Sequence, residues 1–299
     1  MADAPLLPAS RFGIAAGLLG VAIGPTLSFL QRFDAELGRR LCVRVGGAAD
    51  QLTLATRGGG ADFSGRVLAF LAEAEPAHAT RLVRLLTQTP GPTTVQVTVV
   101  GQEAVEVGLE QICGGPVAPV LDALGAGAAP LLPGAEARAL AAQAARVREA
   151  MDAVGWARSG GAVVVRAVFA AADAAPLHQP VLDLLAALQV PAAQRELGAG
   201  LYDALSGSGV IVRVGSGPAG VDRVGVEFRN LAADDVVKLW QSVAPAPGLP
   251  ARFGGLVGAM GSEVVTALEV TWSRAGAALQ ASFELGPEPV TLPLRRVAS

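Results

Sequence analysis

Two kinds of charged side chain alternate with aliphatic ones along the segments that the sequence predicts to be β-strands. The polar strand faces carry five arginines, namely Arg44, Arg166, Arg213, Arg223 and Arg229. They also carry five glutamates, namely Glu106, Glu110, Glu227, Glu269 and Glu284. An arginine side chain is a planar, permanently charged fork that pairs well with carboxylate or phosphate oxygens. These residues can therefore bind an anionic ligand, or they can pair with one another in a closed ionic network.

The overall charge of the chain narrows the kinds of ligand that it can bind. The 299 residues include 23 basic and 26 acidic side chains, which gives a net charge of −3. A chain with no basic surplus lacks the electrostatic footprint of a nucleic-acid-binding protein, so we expect no nucleic-acid partner. Lys238 is the one lysine, and a second lysine for Schiff-base chemistry is missing.

The spacing of cysteines and histidines disfavours metal and disulfide chemistry. Cys42, Cys113, His78 and His178 are the only residues of these types, and none lies at a CxxC or HxxxH spacing. Two cysteines are too few for a disulfide-stapled secreted fold of this length. We therefore expect no metal site, no cofactor and no disulfide framework.

An uncharged stretch from Phe12 to Leu30 approaches the length of a membrane span. Glycines and Pro25 interrupt it, and no basic cluster precedes it as in a signal peptide. With Pro25 at the first position of a second helix, the stretch forms two short buried helices. On this interpretation the protein is cytoplasmic and has no membrane contact. The alternative is that the stretch is a membrane or export segment.

The predicted elements follow a repeated order. Alternation of polar and aliphatic residues around short turns predicts five β-hairpins, at about 41–56, 94–111, 156–169, 210–229 and 263–285. Helical patterns lie between them, and the Ala- and Arg-rich segment Ala135–Val154 predicts one long helix. The repeat units are therefore roughly 11–57, 62–111, 116–169, 176–229 and 232–285, followed by a C-terminal tail at 286–299.

Ten antiparallel strands with helices on one face tend to curl and close, because closure removes the exposed edges. The sequence thus predicts an α+β fold, a single domain over residues 1–299. In it, ααββ repeats form a ten-stranded antiparallel β-barrel inside a ring of helices. The aliphatic strand faces, with Val43, Val97 and Val212 among them, then meet the helices. The polar faces turn into the lumen, where charges must be paired or bind a ligand.

This order of elements resembles that of the soluble aromatic prenyltransferases with the ABBA, or PT-barrel, fold. The resemblance covers about Arg32 to Gly286, and it is clearest from Ala162 to Phe228. There a strand (VVVRAVF) precedes two helices (PVLDLLAALQVP and RELGAGLYDAL) and two strands (VIVRVG and VDRVGVEF). The family's lumenal lysines are absent and only 4% of residues are aromatic, so the chain resembles a divergent member.

The resemblance implies roles for the polar strand residues. The diphosphate of the prenyl donor would be bound by Arg44, Arg166, Arg213 and Arg229. The catalytic carboxylates would be Glu106, Glu110 and Glu284. Other lumen residues that would contact substrate are Thr53, Gln96, Trp272 and Gln280. The aspartate that magnesium-dependent members place on the second strand aligns with Thr53, which implies a magnesium-independent enzyme if the protein is active.

The function implied by the resemblance is transfer of a prenyl group from an isoprenoid diphosphate to an aromatic small molecule. The protein would be a monomeric, cytoplasmic enzyme of bacterial secondary metabolism. Two other hypotheses stay open. Low aromatic content and the missing lysines favour a non-catalytic barrel that binds a hydrophobic small molecule or a protein partner. The stretch from Phe12 to Leu30 allows a membrane-associated protein.

Overall fold

A computed structural model describes residues 8–285 except 23, 27–28, 30–31, 34–39, 46–49, 89–90, 127–129, 160–161, 218–219, 244–248, 261–263 and 274–275. Nine α-helices fall within these ranges, namely α1 (Pro8–Leu19), α2 (Ala61–Ala74), α3 (Ala79–Gln88), α4 (Val117–Gly125), α5 (Gly134–Ala144), α6 (Ala175–Ala187), α7 (Ala192–Ala204), α8 (Ala233–Val243) and α9 (Leu249–Met260). The tail predicted at 286–299 lies outside the described residues.

Ten β-strands form one closed, antiparallel barrel. They are β1 (Arg40–Val45), β2 (Gln51–Gly58), β3 (Thr93–Val100), β4 (Glu103–Pro116), β5 (Ala150–Ser159), β6 (Ala162–Ala171), β7 (Gly209–Gly217), β8 (Gly220–Leu231), β9 (Val264–Ser273) and β10 (Gly276–Leu285). Each strand pairs with its neighbours in sequence, and β1 pairs with β10 to close the barrel, with Leu41 opposite Leu285. This confirms the predicted α+β fold.

The helices cover the aliphatic outer face of the barrel. Valine alternates with polar residues along the strands, so successive side chains point to opposite faces of the sheet. The outward-facing Val97, Val212 and Val226 are at most 2% exposed, and they share one hydrophobic core with helix residues such as Leu71 and Leu184. The predicted division into an aliphatic face and a lumen face is therefore confirmed.

One predicted helix is partly wrong. The helix predicted over Ala135–Val154 ends as α5 at Ala144, and β5 begins at Ala150. Residues 150–151 pair with the end of β4, where Pro116 lies opposite Ala150. Alanine-rich residues favour a helix intrinsically, but strand pairing overrides that weak local preference.

The N-terminal segment packs on the outside of the barrel. Helix α1 is followed by a single 3₁₀ turn at Gly24–Thr26. Phe29 and Phe33 are buried, and their ring centroids lie 5.4 and 5.9 Å from the ring of Phe70 in α2. The second helix predicted after Pro25 falls partly outside the described residues. Within the described ranges, no helix has the length and apolar character required to span a bilayer.

Candidate functional site

The lumen faces of the strands enclose a cavity of about 260 Å³. Seven residues that the sequence singles out border it, namely Arg44, Gln96, Glu106, Glu110, Arg166, Arg213 and Gln280. Further polar neighbours are Gln51, Thr94, Arg223, Glu269 and Thr271. The barrel thus brings together side chains from its first and last hairpins. The cavity is slightly smaller than the roughly 300–1,000 Å³ that is typical of small-molecule pockets.

A chain of ion pairs runs along one side of this cavity. Arg44 Nε lies 3.3 Å from Glu269 Oε2, and Glu269 Oε1 lies 4.0 Å from Arg213 Nη1. Arg213 Nη1 also donates a 2.8 Å hydrogen bond to Glu227 Oε2. The other oxygen of Glu227 lies 3.4 Å from Arg229 Nε. Positive and negative groups therefore alternate from β1 through β9, β7 and β8.

The ion pairs keep the central arginines charged. Burial by itself would lower the pKa of Arg44, but Cys42 and the surrounding glutamates, Glu269 first among them, outweigh it and raise the pKa. The pKa of Arg213 is raised in the same way, because Glu227 and Glu269 outweigh the effect of burial. Both side chains are thus permanent cations, whose charge in the free protein is balanced by carboxylates.

A second ion pair lies across the lumen. Arg166 Nη2 donates to Glu106 Oε2 at 3.4 Å, and Gln96 Nε2 donates to the other oxygen of Glu106 at 3.0 Å. Burial alone would raise the pKa of Glu106, but Arg166 and Arg44 outweigh it and hold that pKa below its ordinary value. Glu106 is therefore ionised at neutral pH.

Glu110 differs from the other lumen carboxylates. It borders the cavity on β4 and is partly exposed. Among the described residues it has no hydrogen-bond or ion-pair partner, whereas Glu106, Glu227 and Glu269 each lie within 4 Å of an arginine. Among the described carboxylates that border the cavity, Glu110 is thus the one that no arginine contacts directly, although its charge still acts on Arg213.

Two of the predicted site residues lie on the lumen face but behind the cavity wall. Arg229 is 1% exposed and contacts Glu227. Thr53 is 2% exposed, and its hydroxyl accepts a 3.2 Å hydrogen bond from Arg44 and lies 2.8 Å from the hydroxyl of Thr98. Their contacts support cavity residues, and neither residue borders the cavity itself.

The prediction that Trp272 lines the lumen is wrong. Its indole N–H donates to the backbone oxygen of Gln194 in α7 at 3.1 Å, and its ring packs against Gly198 of the same helix. Because Glu269 and Thr271 face the lumen, the period of two turns Trp272 toward the helices. Glu284 lies in β10 opposite Cys42, and its side chain is outside the described part of the chain.

Two other described aromatic rings of the strands, those of Trp156 and Phe228, also turn away from the lumen. Trp156 borders the cavity, but its ring lies in the helix layer, 5.8 Å from the ring of His78. Phe228 packs edge-to-face against Tyr202 of α7, with ring centroids 5.0 Å apart. Burial raises the pKa of Tyr202, so its phenol stays protonated.

Two charged cavity residues, Arg223 and Glu269, were not assigned a site role from the sequence, although alternation placed both on the polar strand faces. Arg223 borders the cavity, and its Nε donates to Asp222 Oδ1 at 3.0 Å. With 37% of its side chain exposed, it is the most accessible of the cavity arginines among the described residues. Glu269 links two arginines, as described above. The same alternation of polar and aliphatic residues along the strands identifies both residues as facing the lumen.

Glycines on neighbouring strands make room for the long lumen side chains. A Cβ on Gly108 would lie 2.8 Å from atoms of Gln96, and one on Gly215 would lie 2.7 Å from Cγ of Arg223. Real Cβ atoms do not approach other atoms so closely, so these two positions require glycine while the side chains stay in place. Gly225 is less crowded, because its nearest neighbours would lie 3.6 Å away.

Part of the lumen is apolar and filled. Ala153, Val168, Ala170 and Ile211 are at most 2% exposed and pack together with Ile112. These residues lie where β4 and β6 lead toward helices and where β5 and β7 begin. The charged cavity therefore adjoins a compact apolar layer. No group of three His, Cys, Asp or Glu side chains suited to a metal ion occurs among the residues described.

The solved structures that superimpose on this chain include prenyltransferases. AnaPT from Neosartorya fischeri superimposes with a TM-score of 0.66 at 10% identity, over 92% of this chain and 91% of its own. The 5-dimethylallyltryptophan synthase from Streptomyces coelicolor has a TM-score of 0.64 at 11% identity, over 96% and 99% of the two chains. PriB in a binary complex with product diphosphate has a TM-score of 0.61 at 11% identity, again over 96% and 99%.

These similarities define the fold of the chain as the ABBA, or PT-barrel, fold. At 10–11% identity to the neighbours named, the sequence is a divergent version of it. No protein-family model and no curated protein sequence matches the chain.

Proposed function

We propose that the protein transfers a prenyl group from an isoprenoid diphosphate to an aromatic small molecule. The observation that carries this proposal is the convergence of Arg44, Arg166, Arg213 and Arg223 on one cavity inside a PT-barrel. A structural neighbour with this fold, PriB, is known in complex with product diphosphate. Arginine forks match phosphate oxygens in charge and geometry.

The chemistry begins with the leaving group. The bond between C1 of the allylic chain and the diphosphate oxygen breaks, and its electron pair leaves with the diphosphate. Guanidinium groups placed around that oxygen stabilise the developing negative charge, which is the dominant form of catalysis for such a step. The described residues offer Arg44, Arg166, Arg213 and Arg223 for this task. We propose that they do so without magnesium.

The allylic cation then bonds to the aromatic acceptor. A π-electron pair of the ring forms the new C–C bond to C1, and the ring proton at that carbon is released to a base. We assign this proton to Glu110, because its oxygens have no partner among the described residues. Glu106, whose pKa is lowered, borders the same cavity, and its ionised carboxylate supplies negative charge that stabilises the allylic cation.

Other properties of the protein are consistent with this proposal. Cys42 and Cys113 are free thiols, as expected in a reducing compartment, and we place the enzyme in the cytoplasm, in bacterial secondary metabolism. Within the described residues the barrel has no open strand edge, and Leu18 and Val83 are the only large hydrophobic side chains that are exposed. These features support a monomer.

The test of the proposed function is product formation. Purified protein should be incubated with dimethylallyl or geranyl diphosphate and a panel of phenols and indoles, with and without a metal chelator. We expect a product whose mass is increased by one prenyl group, in the presence of chelator. Glu110→Gln should lower turnover with little effect on the binding of the donor. Absence of product across the panel contradicts the proposal.

A second candidate function is supported by the ion pairs themselves. Each arginine that borders the cavity has a carboxylate partner, and the cavity of about 260 Å³ is small for two substrates. These observations favour a non-catalytic barrel that binds a hydrophobic small molecule or a protein partner. Ligand-dependent increases in melting temperature without any prenylated product would identify this function.

A further inference from the structure

Glu269 lies where an anionic ligand would bind. Its two carboxylate oxygens face different arginines, with Oε2 3.3 Å from Arg44 Nε and Oε1 4.0 Å from Arg213 Nη1. An anion with several oxygens that bridged the same two guanidinium groups would contact the same nitrogen atoms. Glu269 and such a ligand therefore compete for Arg44 and Arg213.

The position of Glu269 makes this competition effective. Its side chain is 13% exposed and borders the cavity, whereas Glu227, the other carboxylate at Arg213, is 4% exposed and lies deeper. A ligand in the cavity therefore meets Glu269 first. Arg213 also donates a 2.8 Å hydrogen bond to the more deeply buried Glu227, so Arg213 keeps a partner when Glu269 is displaced.

The surroundings allow Glu269 to move aside. Gly225 lies next to it on β8, and a Cβ added there would be 3.6 Å from Glu269 Oε1. Because glycine has no side chain, that volume is available to the carboxylate. Gln280, which lies opposite Glu269 on β10, is a neutral neighbour that can accept or donate hydrogen bonds.

We propose that Glu269 is a built-in competitor for the diphosphate site. In the free protein its carboxylate occupies the anion position between Arg44 and Arg213, and it thereby sets the affinity of the lumen for diphosphate. This proposal rests on the proposed function for the identity of the ligand. It assigns to Glu269 a role in determining affinity, and it assigns no step of the reaction to that residue.

The test compares the binding of inorganic pyrophosphate to the wild-type protein and to Glu269→Gln by isothermal titration calorimetry in a buffer that contains a chelator. The substitution keeps the shape of the side chain and removes its charge. We expect Glu269→Gln to bind pyrophosphate at least about tenfold more tightly, which corresponds to 1.4 kcal/mol. Equal or weaker binding, or no binding by either protein at millimolar pyrophosphate, overturns the proposal.

The matched control is Glu75→Gln. Glu75 is also a buried carboxylate paired with an arginine, at 2.5 Å from Arg158, but it is not a residue of the cavity. Loss of this ion pair should leave pyrophosphate affinity unchanged. A thermal unfolding scan of each variant shows whether it is folded. If Glu269→Gln does not fold, Glu269→Asp takes its place, because the shorter side chain cannot reach both arginines, and it should also bind more tightly.

Failure of this inference is distinct from failure of the proposed function. If the wild-type protein forms prenylated product but Glu269→Gln binds pyrophosphate with unchanged affinity, the competitor role of Glu269 is refuted and the proposed transferase function is retained. If Glu269→Gln binds pyrophosphate more tightly but the wild-type protein forms no prenylated product, the competitor role of Glu269 is supported and the proposed transferase function is refuted.

Discussion

The substitution Glu227→Gln isolates the contribution of the lumen ion pairs to stability. Glu227, whose side chain is 4% exposed, contacts both Arg213 and Arg229, and Arg229 is itself 1% exposed. Removing one member of a buried ion pair leaves a poorly compensated charge and typically costs about 3–5 kcal/mol. Since glutamine keeps an acceptor oxygen, we expect a loss near the lower limit, about 3 kcal/mol. The melting temperature should then fall by roughly 6–12 °C.

The control for this prediction is Glu73→Gln, which also removes a carboxylate from an arginine. Glu73 lies 2.5 Å from Arg32, but its side chain is 63% exposed. Exposed pairs contribute at most about 1 kcal/mol, so this variant should be nearly as stable as the wild type. Urea unfolding followed by circular dichroism gives both free energies, provided that the m-values agree. If Glu227→Gln loses no more stability than Glu73→Gln, the lumen ion pairs do not stabilise the barrel as argued.

Three further predictions concern single side chains. Gly108→Ala should lose about 1–3 kcal/mol in urea unfolding, because the new Cβ would lie 2.8 Å from a neighbouring side chain, whereas Gly225→Ala should be tolerated; equal losses would refute this. Trp272→Phe removes the indole N–H that donates to the Gln194 carbonyl and leaves a small cavity beside Gly198, so it should cost roughly 1–3 kcal/mol without changing pyrophosphate affinity. Because the pKa of Glu106 is lowered in the folded state, its contribution is complete above the ordinary carboxylate value and is lost as the pH falls through the folded value. Glu106→Gln should therefore flatten the decline in stability between about pH 5 and pH 3, and an unchanged slope would contradict the ion pairing.

The sequence predicted the barrel because its strands alternate so regularly. Val95, Val97 and Val99 alternate with polar residues, and only a sheet with one buried face explains that period. Helix limits were less accurate where tertiary pairing competed with local preference. The segment after Ala144 contains good helix formers, but the strand opposite it exists only in the folded protein.

The sequence predicted which types of residue line the cavity, but it predicted their contacts less well. Alternation placed Arg44, Arg166 and Arg213 on the lumen face, and all three border the cavity. The sequence could not show which carboxylates Arg44 and Arg166 contact, since those partners come from strands far away in the chain. Glu269 is such a partner, because its two arginines lie on β1 and β7. Trp272 was misplaced because the resemblance assigned it to the lumen, whereas its alternation with Glu269 and Thr271 places it on the outer face.

The pairing of β1 with β10 has a consequence for how the protein folds. All other strand pairs join neighbours in the sequence, either through a tight turn or through two helices, whereas this one joins segments from nearly opposite ends of the described chain. Until β10 has been synthesised, β1 and the most recent strand both remain as open edges on which another chain can add. Closure is therefore the pairing with the greatest loop entropy, and we expect it to occur late in folding. Partly synthesised or truncated chains that lack β10 should aggregate, even though nearly all of the ion pairs of the lumen could already have formed.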